Sequence, residues 1–137
     1  IEVNMAQFRF GNFDFPDKHI EKNKVNVKPN QRQSLDAYTD AFGVTHDNGV
    51  PHTKTEVSFT TLKMSGSEFR SIMSSMTSNY IDYLLRDANC TYYDDESGTF
   101  KTGHFYFDKS FQVNRDEVDK NGVPTKYGEM TWTFIEY

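Results

Sequence analysis

Residues 129–136 read Glu-Met-Thr-Trp-Thr-Phe-Ile-Glu, and the apolar positions recur at every second residue. Met130, Trp132 and Phe134 fall on one face, Glu129, Thr131 and Thr133 on the other. Successive side chains of a strand point to opposite sides of the sheet, so the pattern predicts a strand with one buried and one wet face. The same period runs through 53–63, TKTEVSFTTLK, where Thr55, Val57, Phe59 and Thr61 oppose Glu56, Ser58 and Thr60. It returns in 99–107, TFKTGHFYF, where Phe105 and Phe107 oppose Tyr106. Residues 90–93, CTYY, form the strand before it, across a hairpin loop made of Asp94-Asp95-Glu96-Ser97-Gly98.

The N-terminal stretch 8–15, FRFGNFDF, alternates on both sides of Gly11-Asn12. Two residues that tolerate positive φ between short aromatic strands predict a tight hairpin or a strand with a kink, ended by Pro16. Residues 19–28, HIEKNKVNVK, place Val25 and Val27 on one strand face, with Pro29-Asn30 as the expected stop. Residues 30–53 carry a weaker pattern: a short strand near 34–42, then a long exposed loop marked by Asp47-Asn48-Gly49 and Pro51. Residues 110–114, SFQVN, are expected as a short strand, and polar 115–127 turns at Asn121-Gly122.

One segment changes period. Phe69, Ile72, Met73, Met76, Tyr80, Tyr83 and Leu84 follow helical spacing, which predicts one amphipathic helix near 67–87, capped by Ser65 or Ser67 with Glu68 in its first turn. Thr77-Ser78-Asn79 is its weak point, and a break there would leave 80–86 extended. The Met pair reads as core packing. The 21 aromatic residues outnumber the 18 Ile, Leu and Val residues, which also favours pleated sheet over a helix bundle. Residues 1–137 therefore read as a single domain, mainly β with one α-helix, an α+β or β-sandwich arrangement.

Composition removes several functions. No apolar run approaches the roughly 20 residues of a membrane-spanning helix, so no membrane association is expected, and the N-terminus lacks the pattern of a signal peptide. Cys90 is the only cysteine, so no internal disulfide is possible. A net charge of −5 argues against general nucleic-acid binding, which rests on Lys and Arg at phosphates.

The candidate chemistry is sparse. His19, His46, His52 and His104 are scattered; His46 and His52 flank one turn without further ligands, and His104 reads as a sheet-face histidine. Glu117, Asp119, Asn121 and Gly122 imitate the start of a calcium loop, but position 12 falls on Gly128 and no helical pattern flanks it, so an exposed hairpin tip is expected. Asp94, Asp95 and Glu96 sit on a turn that points carboxylates into water. No phosphate loop or hydrolase motif is present, and no catalytic residue, metal or cofactor is expected. Asn89-Cys90-Thr91 matches a glycosylation sequon, which carries little weight without a secretion signal. Aromatics on both faces of 90–93 and 99–107 mean that a second face is covered, by the domain itself or by a partner.

The stretches SFTTLKMSGSEFRSIM, TYYDDESGTFKTGHFYFDKS and NGVPTKYGEMTWTFIEY resemble a family of small phage tail proteins of Gram-positive phages and prophages. Thr102-Gly103-His104-Phe105-Tyr106 matches its T-G-x-F-Y strand. Tyr93-Asp94 matches the strand before, Thr133-Phe134-Ile135-Glu136 the ending, and Phe10-Gly11-Asn12-Phe13-Asp14-Phe15-Pro16 the opening turn. The resemblance implies a non-enzymatic structural virion protein with a tail-tube-type sandwich or half-barrel and a flanking helix, made in the host bacterial cytoplasm and located in the phage tail. It implies a ring homo-oligomer, expected as a hexamer, that serves as tube, terminator, or distal adaptor and baseplate component. Adjoining tail proteins would be its partners, and DNA would pass an acidic lumen without specific binding. The competing expectation is a carbohydrate- or receptor-binding β-module on the virion. Exposed loops and strand edges nominate interface residues: Tyr38, Phe42, Asp47, Asn48, His52, Arg115, Asp116, Asp119, Asn121, Lys126 and Tyr127.

Overall fold

The computed structural model describes residues 6–39, 41–43, 45–108 and 110–137, with side chains described outside 23, 32–39 and 45–52. The chain forms a curled antiparallel half-barrel with one helix. Strands β1 (Phe8–Phe10) and β2 (Phe13–Asp14) make the first hairpin, and Phe10 pairs with Phe13 across Gly11-Asn12. Gly11 has φ +60°, and a Cβ there would lie 2.7 Å from Asn79 Oδ1, so glycine answers both the turn and the close approach. A 3-10 turn at Asp17–His19 leads to β3 (Ile20–Thr39) and β4 (Thr45–Thr61), then β5 (Met64–Ser65) and α1 (Gly66–Ser78). The remaining strands are β6 (Asp87–Asp94), β7 (Thr99–Phe107), β8 (Arg115–Val118), β9 (Pro124–Tyr127) and β10 (Met130–Glu136). Seven strands form one sheet in the order β2-β1-β6-β7-β10-β4-β3, and β5-β9-β8 form a small second sheet.

Strand spacing shows how far the main sheet curls. β1 and β4 lie four strands apart, which is about 19 Å in a flat sheet. The rings of Phe8 and Phe59 are 5.9 Å apart. The concave face has closed on itself and fills with aromatics: Phe8, Phe10, Phe15, Phe59, Phe105, Phe107, Trp132 and Phe134 are fully buried. The alternation read in 129–136 and 53–63 places side chains as predicted, since Met130, Trp132, Phe134, Thr55, Val57, Phe59 and Thr61 are all inside.

The helix is shorter than predicted. Ser65 accepts a hydrogen bond from Glu68 N, and Glu68 Oε1 accepts from Ser65 N, a reciprocal capping box. His19 Nε2 lies 2.9 Å from Glu68 Oε2 and ties the cap to the 3-10 turn. Phe69, Ile72 and Met76 enter the core, with the Phe69 ring tilted against Tyr127 at 4.2 Å between centroids. At the other end Thr77 and Ser78 hydroxyls and the Asn79 amide donate back to carbonyls of the last turn. Side chains that bind the backbone in this way compete with helical propagation. Residues 80–86 are neither helix nor strand but a turn that leads directly into β6.

Three other expectations are corrected. Pro29-Asn30 does not stop β3: the strand continues through a bulge, with Lys28 opposite Glu56 and Gln31 opposite Lys54, and Asn30 absorbs the extra residue at φ +50°. The long loop expected after 42 is strand instead, because the turn-forming residues around Pro51 lie in a wide bulge between Gly49 and Thr53. Residues 110–114 are irregular, with Phe111 folded back against Trp132 at 4.5 Å.

Cys90 is fully buried and burial pushes its thiol well above the ordinary range. A maleimide or disulfide reagent is therefore expected to leave the native protein unmodified and to label it stoichiometrically in denaturant. Rapid labelling of the folded chain at neutral pH would contradict this placement.

Candidate assembly interface

β10 pairs with β4 only from Glu56 to Thr61. Before that point β4 has β3 as its sole strand neighbour among the described residues, so 31–39 and 45–54 leave the half-barrel as a two-stranded arm. At about 3.3 Å per residue the arm reaches about 30 Å. Its tip holds Phe42, which is 93% exposed, and Gly43 at φ +79°. As a general matter, a two-stranded ribbon without a third strand or a packed face is marginal in water.

The root of the arm is tied down. Asn30 N donates to Thr55 Oγ1 at 3.1 Å, Thr55 N donates to Glu136 Oε1 at 3.0 Å, and Tyr92 OH bonds Thr55 Oγ1 at 3.3 Å. The Asn30 amide reaches Asp94 Oδ2 at 3.4 Å and Glu96 Oε2 at 3.2 Å, which bridges the gap between β3 and the β6–β7 turn. Asp94, expected on a turn with its carboxylate in water, is instead fully buried at the end of β6, and Lys101 Nζ lies 2.8 Å from its Oδ2. The Lys101 hydrogen bond outweighs burial, with help from Glu96 N and Asn30, and holds the Asp94 carboxyl below its usual range. A group with a depressed folded pKa adds stability that is present above the unfolded value and lost as pH falls through the folded one. The melting temperature is thus expected to fall as pH drops below about 4, the ordinary aspartate range. Asp94→Asn should be less stable at neutral pH and show a shallower acid slope in pH-dependent thermal melts. Asp87 and Glu68, also depressed, retain the rest of that slope. An unchanged slope would remove Asp94 from the acid response.

Asp87 and His104 form the second polar feature. They share a hydrogen bond, Asp87 Oδ1 accepts from Asp82 N at 2.9 Å, and the Tyr137 ring stacks 4.5 Å from the His104 ring. Burial raises the Asp87 pKa, but the bonds from His104 and Asp82 N more than offset it. Among the described residues no serine or cysteine bonds His104, and the pair fastens the 80–86 turn to β7.

The nominated interface residues divide between two places. Tyr38, Asp47, Asn48 and His52 belong by backbone to the arm, Tyr38 opposite His46 and Asp47 opposite Ala37, while their side chains lie outside the described ones, as does that of His46. Phe42 is at the arm's tip. Arg115, Asp116, Asp119, Asn121 and Lys126 lie exposed on the β8–β9 hairpin. There Asp119 Oδ1 accepts from Asn121 N and Val123 N, which closes the tip, and Lys126 pairs with Glu117 at 3.7 Å. Tyr127 is a correction: it is buried under Phe69, because it ends β9 where that strand meets the helix. Sequence reading missed the Asn30–Thr55–Asp94 root, whose only signal was an asparagine placed after a proline.

A family model for proteins of unknown function matches residues 6–137. No curated protein and no solved structure matches the chain.

Proposed function

With the chain a member of that family, DUF6711, we propose that it is a non-enzymatic structural subunit which assembles with copies of itself into a ring, as a component of a phage tail. The projecting β3–β4 arm carries this reading. A two-stranded ribbon about 30 Å long, with no third strand beside it among the described residues, is the kind of element that a neighbouring copy can extend by adding a strand. The curled sheet is also open at β3, where exposed Lys22, Lys24 and Lys28 discourage indiscriminate pairing along the body of the strand. An acidic subunit, at −5 per copy, gives a ring a negative lumen that DNA phosphates pass without adhering. The tail assignment itself rests on the resemblance of the 10–16, 93–94, 102–106 and 133–136 motifs.

The receptor-binding alternative would use exposed Tyr and Trp; Trp132, the single tryptophan, is fully buried and weighs against it, while the exposed Tyr93–Phe100 pair is the feature that would serve it. Native mass spectrometry and negative-stain imaging across a concentration series test the proposal. Closed rings with an open centre are expected. A chain that stays monomeric at every concentration and binds oligosaccharide would overturn it.

A further inference from the structure

The arm leaves the half-barrel at a bend. Lys28–Glu56 is the last pair of β3 and β4 that is backed by the barrel, since Glu56 is also the last residue of β4 with β10 beside it. The first pair beyond is Gln31–Lys54, and the bulge of Pro29-Asn30 against Thr55 falls between the two. A bulge bends its strand and interrupts the ladder. Here Pro29 has no N–H to give, and Asn30 N turns to the Thr55 hydroxyl. Asn30 has φ +50°, a conformation that asparagine tolerates better than most residues. Left to its backbone alone, such a bend is a hinge.

Side chains from other elements stiffen it. Glu136, at the end of β10, accepts Thr55 N and so replaces the strand neighbour that β4 has just lost. The other Glu136 oxygen occupies the space over Gly103, where a Cβ would lie 2.6 Å from it. Tyr92, on β6, donates to the same Thr55 hydroxyl. The Asn30 amide reaches Glu96 at 3.2 Å and the two Asp94 oxygens at 3.4 and 3.5 Å, while Glu96 N donates to Asp94 Oδ1 at 3.2 Å. β7, β10 and β4 lie between β6 and β3 in the sheet, so this bridge crosses the open mouth of the half-barrel instead of following the ladder.

We propose that this collar is an aiming device, in which the bridge from Asn30 to Asp94 and Glu96 fixes the angle of the β3–β4 arm in the free subunit. At a reach of about 30 Å, a swing of about 10° at the root moves the tip by about 5 Å, the spacing of paired strands. An arm that swings by that much misses the edge it would pair with. An arm already aimed has lost beforehand the freedom that binding would otherwise remove. The use of the aim in assembly rests on the ring reading above; the aim itself is a property of one chain.

Electron–electron distance measurement between two spin labels tests it. Ala41→Cys near the arm's tip and Ser74→Cys on α1 are both exposed, and buried Cys90 takes no label. The labelled chain is diluted into excess unlabelled protein, so that the distances read lie within one subunit. One narrow distance peak is expected. Asn30→Asp suits the same backbone angle but removes the amide donor and sets a third carboxylate against Asp94 and Glu96. It should keep a cooperative melt and give a peak roughly twofold broader, as expected of an unbraced bulge. Adding Asp94→Asn to Asn30→Asp returns a donor and an acceptor to the pair with their positions exchanged, and should restore the narrow peak. A loss of stability without a role in aiming would not be rescued in this way. Should Asn30→Asp fail to fold, Asn30→Gly removes the amide at an angle that glycine accepts and should broaden the peak likewise. A wild-type peak as broad as that of the variants, an unchanged width on substitution, or no rescue in the double variant would overturn the proposal. A broad wild-type peak in a chain that forms rings would overturn the aim alone, whereas a narrow one in a chain that never assembles would leave the aim and remove the ring reading.

Discussion

Replacing Trp132 with alanine is expected to cost about 3–5 kcal/mol, which is a large share of the roughly 5–15 kcal/mol that holds a domain together. Trp132 is at the centre of β10, the strand that joins β7 to β4. Its ring meets Phe111 at 4.5 Å, Phe15 at 5.2 Å, Phe107 at 5.6 Å and Phe69 at 6.2 Å. These partners come from four separate parts of the chain, so the cavity cannot be closed by moving one of them. The indole N–H donates to Thr61 Oγ1 at 3.0 Å, and Thr61 in turn donates to Met130 O at 3.3 Å. Trp132→Phe therefore leaves the threonine satisfied and should cost only about 1–2 kcal/mol, the indole's extra volume and one hydrogen bond. At a few degrees per kcal/mol for a chain of this size, the alanine variant should melt about 10–20 °C lower. Circular dichroism is the appropriate measurement, since the substitution also removes the only tryptophan fluorophore. An alanine variant within about 3 °C of wild type, on the same few-degrees scale, would mean that the aromatic cluster is not the core.

The parts of the fold that were legible in the sequence are those where local pattern and burial agree. In β10 and in the second half of β4, every apolar residue at period two is buried, because those strands have a wet outer face and a dry inner one. The failures share a cause: a local signal was overruled by something distant. Tyr80, Tyr83 and Leu84 continue the helical spacing of Phe69 and Ile72, yet the chain leaves the helix at Asn79. There the Asn79 side chain accepts from Asn12 N and binds Ser75 O. That contact joins positions far apart in sequence, and it adds to the local competition from Thr77, Ser78 and Asn79 that already marks this point as weak in the sequence. Pro29-Asn30 and Asp47-Asn48-Gly49-Val50-Pro51 are turn signals in composition. In the folded chain they supply bulges, since each strand of the pair keeps the other extended.

The candidate interface was less legible than the fold for a related reason. Exposure in a loop nominated Phe42 and the residues of the β8–β9 hairpin correctly as surface. Tyr127 looked similar in sequence, next to Gly128 and after a charged stretch, and only the helix packed above it makes it core. Exposed Leu84 with its neighbours continues a helical spacing that reads as an inward face. An apolar residue at helical period is ordinarily buried. The exception becomes visible only when the helix is known to have ended.

Shortening the arm should separate folding from assembly. A chain in which residues 33–52 are replaced by Asn-Gly would close β3 onto β4 with a two-residue turn directly beyond the Arg32–Thr53 pair. Everything that holds the half-barrel stays in place: the Phe8–Phe59 contact, the β10 ladder from Glu56 to Thr61, and the Asn30–Thr55–Asp94 ties at the root. The removed segment pairs with itself, and a shorter closed loop lowers the entropy of the unfolded chain, so stability should change by less than about 1 kcal/mol. Assembly should fall much further. If the arm supplies half of a standard interface, on the order of 800 Å² over both partners with a little over half of it apolar, its loss at about 25 cal/mol per apolar Å² removes roughly 10 kcal/mol of gross attraction per contact. Even after the ordering cost of binding is subtracted, several kcal/mol remain, which is a weakening of roughly a thousandfold or more. On the ring proposal, sedimentation velocity on the shortened chain is therefore expected to show a folded monomer at concentrations where the full chain assembles. Rings of undiminished stability would show that the arm takes no part in the contact. A shortened chain that fails to fold would show that the ribbon belongs to the core of its own subunit, and the reading of it as an element completed by a neighbour would fall.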